Sequence, residues 1–307
     1  MVPDNPIRHH LKANKSYSFI TSASYNGHNP MKNSVIARSH LHVVCPESYY
    51  HSTACSEYHW RLHGNTVTQQ DASIASEHYT LTFDPLDGSS IIAPNWTVGT
   101  IIGIWDGPGA LNQSPKKSQV AAILGIYGPR TMAVIAIRVP NVSSFCFEVG
   151  LNPDGGGVDT PASVFEILRS DMTLLSPPFK TRYFAPANLR AAAEDANYMR
   201  LVASFIQHKY TLRYSGGLVP DIYHILVNGQ GVYISPVTPA SKAKLCPQYE
   251  LSPIALVIEC CAGQAVDPTT ESNILDDAIK HCDERTGLLC GTKEEVEGVV
   301  EAMINLS

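Results

Sequence analysis

Two carboxylates three positions apart, at the end of an apolar strand and followed by small residues, are the chemically suggestive feature of this sequence: Phe83-Asp84-Pro85-Leu86-Asp87-Gly88-Ser89-Ser90. Tyr79–Phe83 reads as a strand that delivers Asp84 and Asp87 to a Pro-containing turn. Carboxylates and backbone carbonyls are hard oxygen ligands that suit Mg²⁺ or Mn²⁺. Backbone amides of a Gly-Ser-Ser turn can approach and cradle an anion. A divalent cation beside a phosphate is what phosphate-ester hydrolysis needs, because the metal neutralises oxyanion charge and acidifies an attacking water. An isolated Asp-x-x-Asp-Gly also makes an ordinary strand-end turn, with Asp as an Asx cap and Gly for positive φ. The full eight-residue string is far more specific than that turn.

These residues need a scaffold, and the sequence outlines one. Apolar, strand-like runs follow at Thr100–Trp105, Ala121–Tyr127 and Met132–Val139, punctuated by Pro-Gly and Gly-Pro pairs near 107–109 and 128–129. Asn152–Gly157 reads as an exposed loop. Helical patterns dominate later, at Ala187–Ile206, Val219–Val227, Pro253–Ala262 and Lys293–Ile304, the last preceded by Thr292 with Glu295 as a capping box. Strands and helices alternate without a repeat, which predicts a layered α/β protein.

Composition narrows the function class. The 307 residues are 44% hydrophobic and 16% charged, with a formal charge of −6. There is no overall basic field to draw nucleic acid, and no run approaches the roughly 20 apolar residues that span a bilayer. The first residues lack the apolar core of a secretory signal. Eight cysteines without framework spacing read as reduced thiols of an intracellular protein, and the adjacent Cys260 and Cys261 as small packing residues. The expected location is the cytoplasm. An acid-poor, Ser-containing start keeps a plastid as the alternative. Residues 1–56 carry five bases against Asp4 and Glu47 alone, leaving −9 on the remainder, and show no sustained periodicity.

The eight-residue string resembles the signature of the fructose-1,6-bisphosphatase and sedoheptulose-1,7-bisphosphatase family of Mg²⁺-dependent sugar phosphatases. The resemblance runs from about Cys55 to the C-terminus, and 97–105, 119–131, 185–191, 209–221 and 241–245 look closest to the sedoheptulose branch. It implies an α/β/α/β/α sandwich and a phosphoric monoester hydrolase that removes the 1-phosphate of a sugar bisphosphate. It also implies two or more Mg²⁺ (or Mn²⁺) ions held by Glu57, Asp84, the Leu86 carbonyl, Asp87 and Glu250. Glu57, Asp84 and Asp87 would carry catalysis. Asp87, Gly88, Ser89 and Ser90 would bind the phosphate to be cleaved, and Asn188, Tyr214 and Lys244 the rest of the substrate. Arg213 would reach the distal phosphate across a subunit interface, which implies a homo-oligomer.

The sequence also departs from that family. Tyr58 stands where a second glutamate is usual, and no Gly-Asp segment with two aspartates precedes it. Cys246 and Ile234 occupy positions where fructose-specific enzymes place an arginine and a tyrosine. The last two changes fit a sedoheptulose-type site, while the first two motivate the alternative of a sugar-phosphate-binding protein with an impaired site; a fructose bisphosphatase is the other alternative. The expected division is 1–56 as an atypical, weakly ordered or mis-specified segment, 57–180 as the metal- and phosphate-binding half, and 181–307 as the sugar- and distal-phosphate-binding half. His59 and His63, at helical i, i+4 spacing, read as surface histidines rather than a metal pair.

Overall fold

The computed structural model describes residues 17–20, 40–43, 58–61, 78–107, 109–139, 142–152, 164–238 and 241–304. The chain divides into two compact units, one comprising residues 1–54 and 61–77 and the other residues 55–60 and 78–307. Within the first, strands β1 (Tyr17–Ile20) and β2 (His40–Val43) pair antiparallel, Tyr17 opposite Val43.

The second unit is built on two sheets. The larger has seven strands in sequence order: β3 (Tyr58–Arg61), β4 (His78–Asp87), β5 (Val98–Asp106), β6 (Gln119–Tyr127), β7 (Thr131–Ile137), β8 (Phe145–Asn152) and β9 (Val164–Arg169). From β4 to β9 every neighbouring pair is antiparallel. Burial alternates strictly along β5: Ile101 and Trp105 are buried, Ile102 and Ile104 half-buried. That period of two makes one face of the sheet a core surface.

The smaller sheet is mixed, in the order β11 (Thr211–Leu212), β10 (Tyr183–Pro186), β12 (Val232–Ser235), β14 (Leu288–Gly291), β13 (Gln264–Val266). Helices α2 (Leu218–Asn228) and α3 (Ser252–Cys260) pack against β5 and β6 on one side and against the smaller sheet on the other. The buried residues of α3, Ser252–Ile258, form an almost wholly apolar run, as a helix enclosed between two sheets requires. Helices α1 (Ala196–Gln207) and α4 (Lys293–Ile304) line the opposite side of the smaller sheet, where Phe184, Leu201, Phe205, Val232, Leu289 and Val296 share a second core. The described residues of the second unit thus form four successive layers, sheet, helices, sheet, helices, which are four of the five layers of the expected α/β/α/β/α sandwich.

The elements depart from the sequence reading in instructive places. The helical stretch expected over 187–206 is divided. Asn188 is left-handed (φ 52°), Leu189–Ala193 form a 3₁₀ turn, and only then does Asp195 cap α1 by accepting from the Tyr198 amide at 2.9 Å. The sequence reading places no strand after Val139, yet β8 to β14 follow; five of these seven have only two to four residues, too short to show alternation. Thr292 and Glu295, expected as a capping box, make tertiary bonds. The Gly231 amide donates to Thr292 Oγ1 at 3.0 Å, and Arg182 donates twice to the Glu295 carboxylate, at 2.6 and 2.9 Å.

Candidate functional site

The end of β4 is where the pleat fails. Its register on β5 shifts between Asp84 and Asp87, so Pro85 and Leu86 bulge out of the ladder. The bulge is held on both sides: the Leu86 amide donates to Asp84 Oδ1 at 3.0 Å, and Thr100 Oγ1 donates to the Pro85 carbonyl at 2.9 Å. Proline at 85 fits because its missing N–H leaves no donor unpaired at a bulge. Gly88 then turns left-handed (φ 86°), which favours glycine, and starts the single 3₁₀ turn Ser89–Ile91. Ser89, Ser90 and Leu86 are exposed beside this turn.

Asp87 is buried, at 8% exposure, and both its oxygens are engaged. They accept from the first two amides of α2, Leu218 at 3.1 Å and Val219 at 2.6 Å. A helix N-terminus offers unpaired amides and a positive dipole end, so the carboxylate is held by the helix as a capping anion. The approach of α2 is permitted by Gly99, the residue opposite Asp87 on β5. A Cβ on Gly99 would lie 2.5 Å from the Val219 Cβ.

Glu250 arrives from the other side of the site, on the π-helical turn Pro247–Leu251, where its Oε2 accepts from the Cys246 amide at 2.6 Å. Burial, then repulsion from Asp84 and Asp87, pushes the Glu250 carboxyl up to about 7 against the pull of that amide. Burial likewise raises Asp87 to about 6, with Asp84 and Asp221 adding to the rise, and burial raises Asp84. Three of the sequence-predicted carboxylates are therefore near enough to oppose one another's ionisation. Oxygen donors that carry uncompensated like charge in a partly dry setting fit a hard divalent cation. Among the described residues no three His, Cys, Asp or Glu side chains converge as a metal-holding group. Glu57, the fourth carboxylate expected, lies outside the described residues.

The residues expected to hold the remainder of a substrate fall into two sets. Asn188 and Tyr214 are brought together, the Asn188 backbone N–H donating to the Tyr214 hydroxyl, and burial raises that phenol above its ordinary range. Arg213 and Lys244 are exposed; neither lies within ion-pair distance of a carboxylate among the described residues. Arg213 Nη1 donates to the Leu212 carbonyl at 2.8 Å, and its guanidinium stands 5.8 Å from the Tyr183 ring centre.

Several supporting residues escaped the sequence reading. Asp221, buried in the first turn of α2, accepts from the Ser215 and Gly216 amides at 2.6 and 3.3 Å. Buried Tyr233 sits within electrostatic reach of Tyr214, Asp221 and Asp87. An acidic residue just inside a helix preceded by Gly-Gly was the available signal for Asp221; nothing local marks Tyr233.

Comparison with known proteins matches the two halves of this architecture. Residues 18–152 match the family model of the fructose-1-6-bisphosphatase N-terminal domain and residues 178–304 that of the C-terminal domain. The first match begins well upstream of Cys55. The chloroplastic sedoheptulose-1,7-bisphosphatase of Spinacia oleracea is 37% identical over 219 residues, 71% of this chain and 52% of the relative. That of Chlamydomonas reinhardtii is 35% identical over 274 residues, 89% of this chain and 64% of the relative. The crystal structure of a putative sedoheptulose-1,7 bisphosphatase from Toxoplasma gondii superposes with a TM-score of 0.66 at 35% identity, covering 75% of this chain and 70% of the other. The chain thus spans between half and two-thirds of the length of these two curated relatives. The family acts on sugar bisphosphates and uses divalent metal ions. With both of its domains matched in order and the layered fold shared, the chain belongs to the fructose-1,6-bisphosphatase family.

Proposed function

We propose that this chain is a sugar bisphosphatase that hydrolyses the 1-phosphate ester, with sedoheptulose-1,7-bisphosphate as the preferred substrate and fructose-1,6-bisphosphate as the alternative. The observation that carries the reading is Asp84 and Asp87 held on either side of the β4 bulge, Asp87 by two helix amides, directly before the exposed Ser89 and Ser90 of the turn, with the Glu250 carboxylate near enough to be repelled by both. Glu57, Asp84, the Leu86 carbonyl, Asp87 and Glu250 would hold two or more Mg²⁺ ions. Bound there, the ions supply neutralisation of the phosphoryl oxygens and a more acidic water. The turn at 88–90 positions the phosphate by its amides and hydroxyls. Water's oxygen joins phosphorus, the P–O bond to the sugar breaks, and the sugar keeps that oxygen as a hydroxyl. Asn188, Tyr214 and Lys244 hold the sugar and its distal phosphate, with Arg213 contributed by a second copy in a cytoplasmic homo-oligomer.

The departures at Tyr58 and upstream of it favour a second reading, a protein that binds sugar phosphates with little turnover. Phosphate release from each of the two bisphosphates, with and without Mg²⁺, separates these readings. Metal-dependent release, faster on the sedoheptulose ester, supports the first. Binding of the bisphosphate without release at saturating Mg²⁺ supports the second. Equal or faster release from the fructose ester moves the specificity to the alternative.

A further inference from the structure

Five successive backbone amides, Ser215 to Val219, each donate to a side-chain oxygen. Asp221 takes the first two, at 2.6 and 3.3 Å; the Ser215 hydroxyl takes Gly217 at 3.2 Å; Asp87 takes Leu218 and Val219, at 3.1 and 2.6 Å. A run of converging amides is an anion nest, and here the protein fills it with its own two carboxylates. The nest is bounded by site residues. Tyr214 precedes it, and Gly217 lies against Gly88, whose added Cβ would come within 3.5 Å of the Gly217 Cα. Gly216 is left-handed (φ 94°), so the turn has a backbone conformation that needs tethering.

We infer that Asp221 is a positioning residue of the site: by holding the Ser215–Gly217 turn it fixes Tyr214 on one side and the two helix amides that orient Asp87 on the other. The bonds from Asp221 run backward to amides outside the helix, so its effect falls on the turn rather than on the helix body. Its carboxylate is buried at 4% exposure, which commits it to these partners. If the turn shifts, Asp87 loses the direction of its remaining lone pairs, and the Tyr214 hydroxyl leaves the Asn188 amide. The inference rests on the phosphatase reading for Tyr214 and Asp87, and concerns a residue which that reading does not name.

Two variants of the full chain test it. Asp221→Asn keeps the shape but places an N–H₂ against an amide donor. Ser215→Ala changes no charge and removes only the hydroxyl that accepts from the Gly217 amide at 3.2 Å and donates to the Gly217 carbonyl at 3.5 Å, inside the turn that Asp221 holds. Mn²⁺ affinity, measured by electron paramagnetic resonance of the free ion, needs no turnover; KM and kcat for sedoheptulose-1,7-bisphosphate provide the second readout. Asp221→Asn is expected to weaken Mn²⁺ binding and raise KM by about tenfold, and Ser215→Ala by about threefold, as befits lost or mismatched buried hydrogen bonds. Lowered kcat per mole of protein with Mn²⁺ affinity and KM unchanged is a folding defect alone and overturns the inference. If wild type binds Mn²⁺ but releases no phosphate, the phosphatase reading fails, and the Mn²⁺ titrations of the two variants still decide the positioning role. Should Asp221→Asn not fold, Ser215→Ala carries the test.

Discussion

Asp87 faces two demands that pull its ionisation in opposite directions. Burial and the neighbouring Asp84 and Asp221 favour the protonated acid, while the Leu218 and Val219 amides favour the carboxylate; the first set prevails, and the group rests at about 6. Glu250 follows the same pattern at about 7 and Asp221 at about 6. These folded values lie above those of the unfolded chain, so protons bind the fold more tightly. The stabilisation is complete below about pH 4 and is lost as pH rises through 6 to 7. A divalent cation held by the carboxylates, as proposed, would offset that loss by pairing with the ionised forms. Metal-free protein should therefore lose a few kcal/mol of this contribution between pH 5 and 8. Added Mn²⁺ should raise Tm more at pH 8 than at pH 5. Equal stabilisation at the two pH values, measured by differential scanning fluorimetry, would place the ion elsewhere. Asp84→Asn isolates the metal role from the turn, since an amide oxygen can still accept from the Leu86 N–H. Disturbing even the partners of metal ligands costs about 10–100-fold, so metal-dependent phosphate release should fall at least that far while Tm of the metal-free protein holds or rises, because one of the mutually repelling charges is gone. Full activity in this variant would sink the assignment.

At the scale of elements, one contact sets the geometry of the site: α2 lies on Gly99 of β5 so closely that its amides reach across to Asp87 on β4. Gly99→Ala puts a methyl into the Val219 side chain, and overpacking of this kind costs about 1–3 kcal/mol, or a Tm lower by several degrees in a unit of this size. Its distinctive effect should be on Mn²⁺ affinity, because α2 cannot retreat without taking the Leu218 and Val219 amides with it. A variant with reduced Tm but wild-type Mn²⁺ affinity would show that Asp87 does not depend on α2. This contact also shows what the sequence made legible. The strand into Asp84, the positive-φ glycine at 88 and the helix near 219–227 are local matters of alternation, turn chemistry and period, and each is readable from a few residues. That β5 bears a glycine because a helix lies against it is a tertiary fact, as is the recruitment of Thr292 and Glu295 away from a cap. Asp221 falls between the two: its residue type and place near a helix start were visible, but its partners five and six residues upstream were not. The short strands of the smaller sheet, two to four residues each, are fixed by neighbours and leave too little pattern to detect.

At the scale of the whole molecule, the position of Arg213 bears on assembly. It follows β11, the edge strand of the smaller sheet, with Leu212 at 54% and Tyr214 at 44% exposure on either side. A sheet edge carrying exposed apolar and cationic groups is well suited to meet a second copy, and symmetric oligomers are the commonest assemblies. If Arg213 completes a neighbour's site while Lys244 serves its own, the two defects belong to different subunits of each site. In a mixed dimer, the Arg213→Ala chain keeps its own Lys244 and receives Arg213 from the Lys244→Ala chain, so one site is whole and the other doubly impaired. Random reassociation of equal amounts should therefore return about a quarter of wild-type phosphate release from two nearly inactive parents. If both side chains act within a single subunit, every site in the mixture keeps one defect, and activity stays at the mean of the parents. Light scattering on the same samples reports whether the chains associate at all, so an absence of recovery in a demonstrated oligomer assigns Arg213 to its own subunit's site.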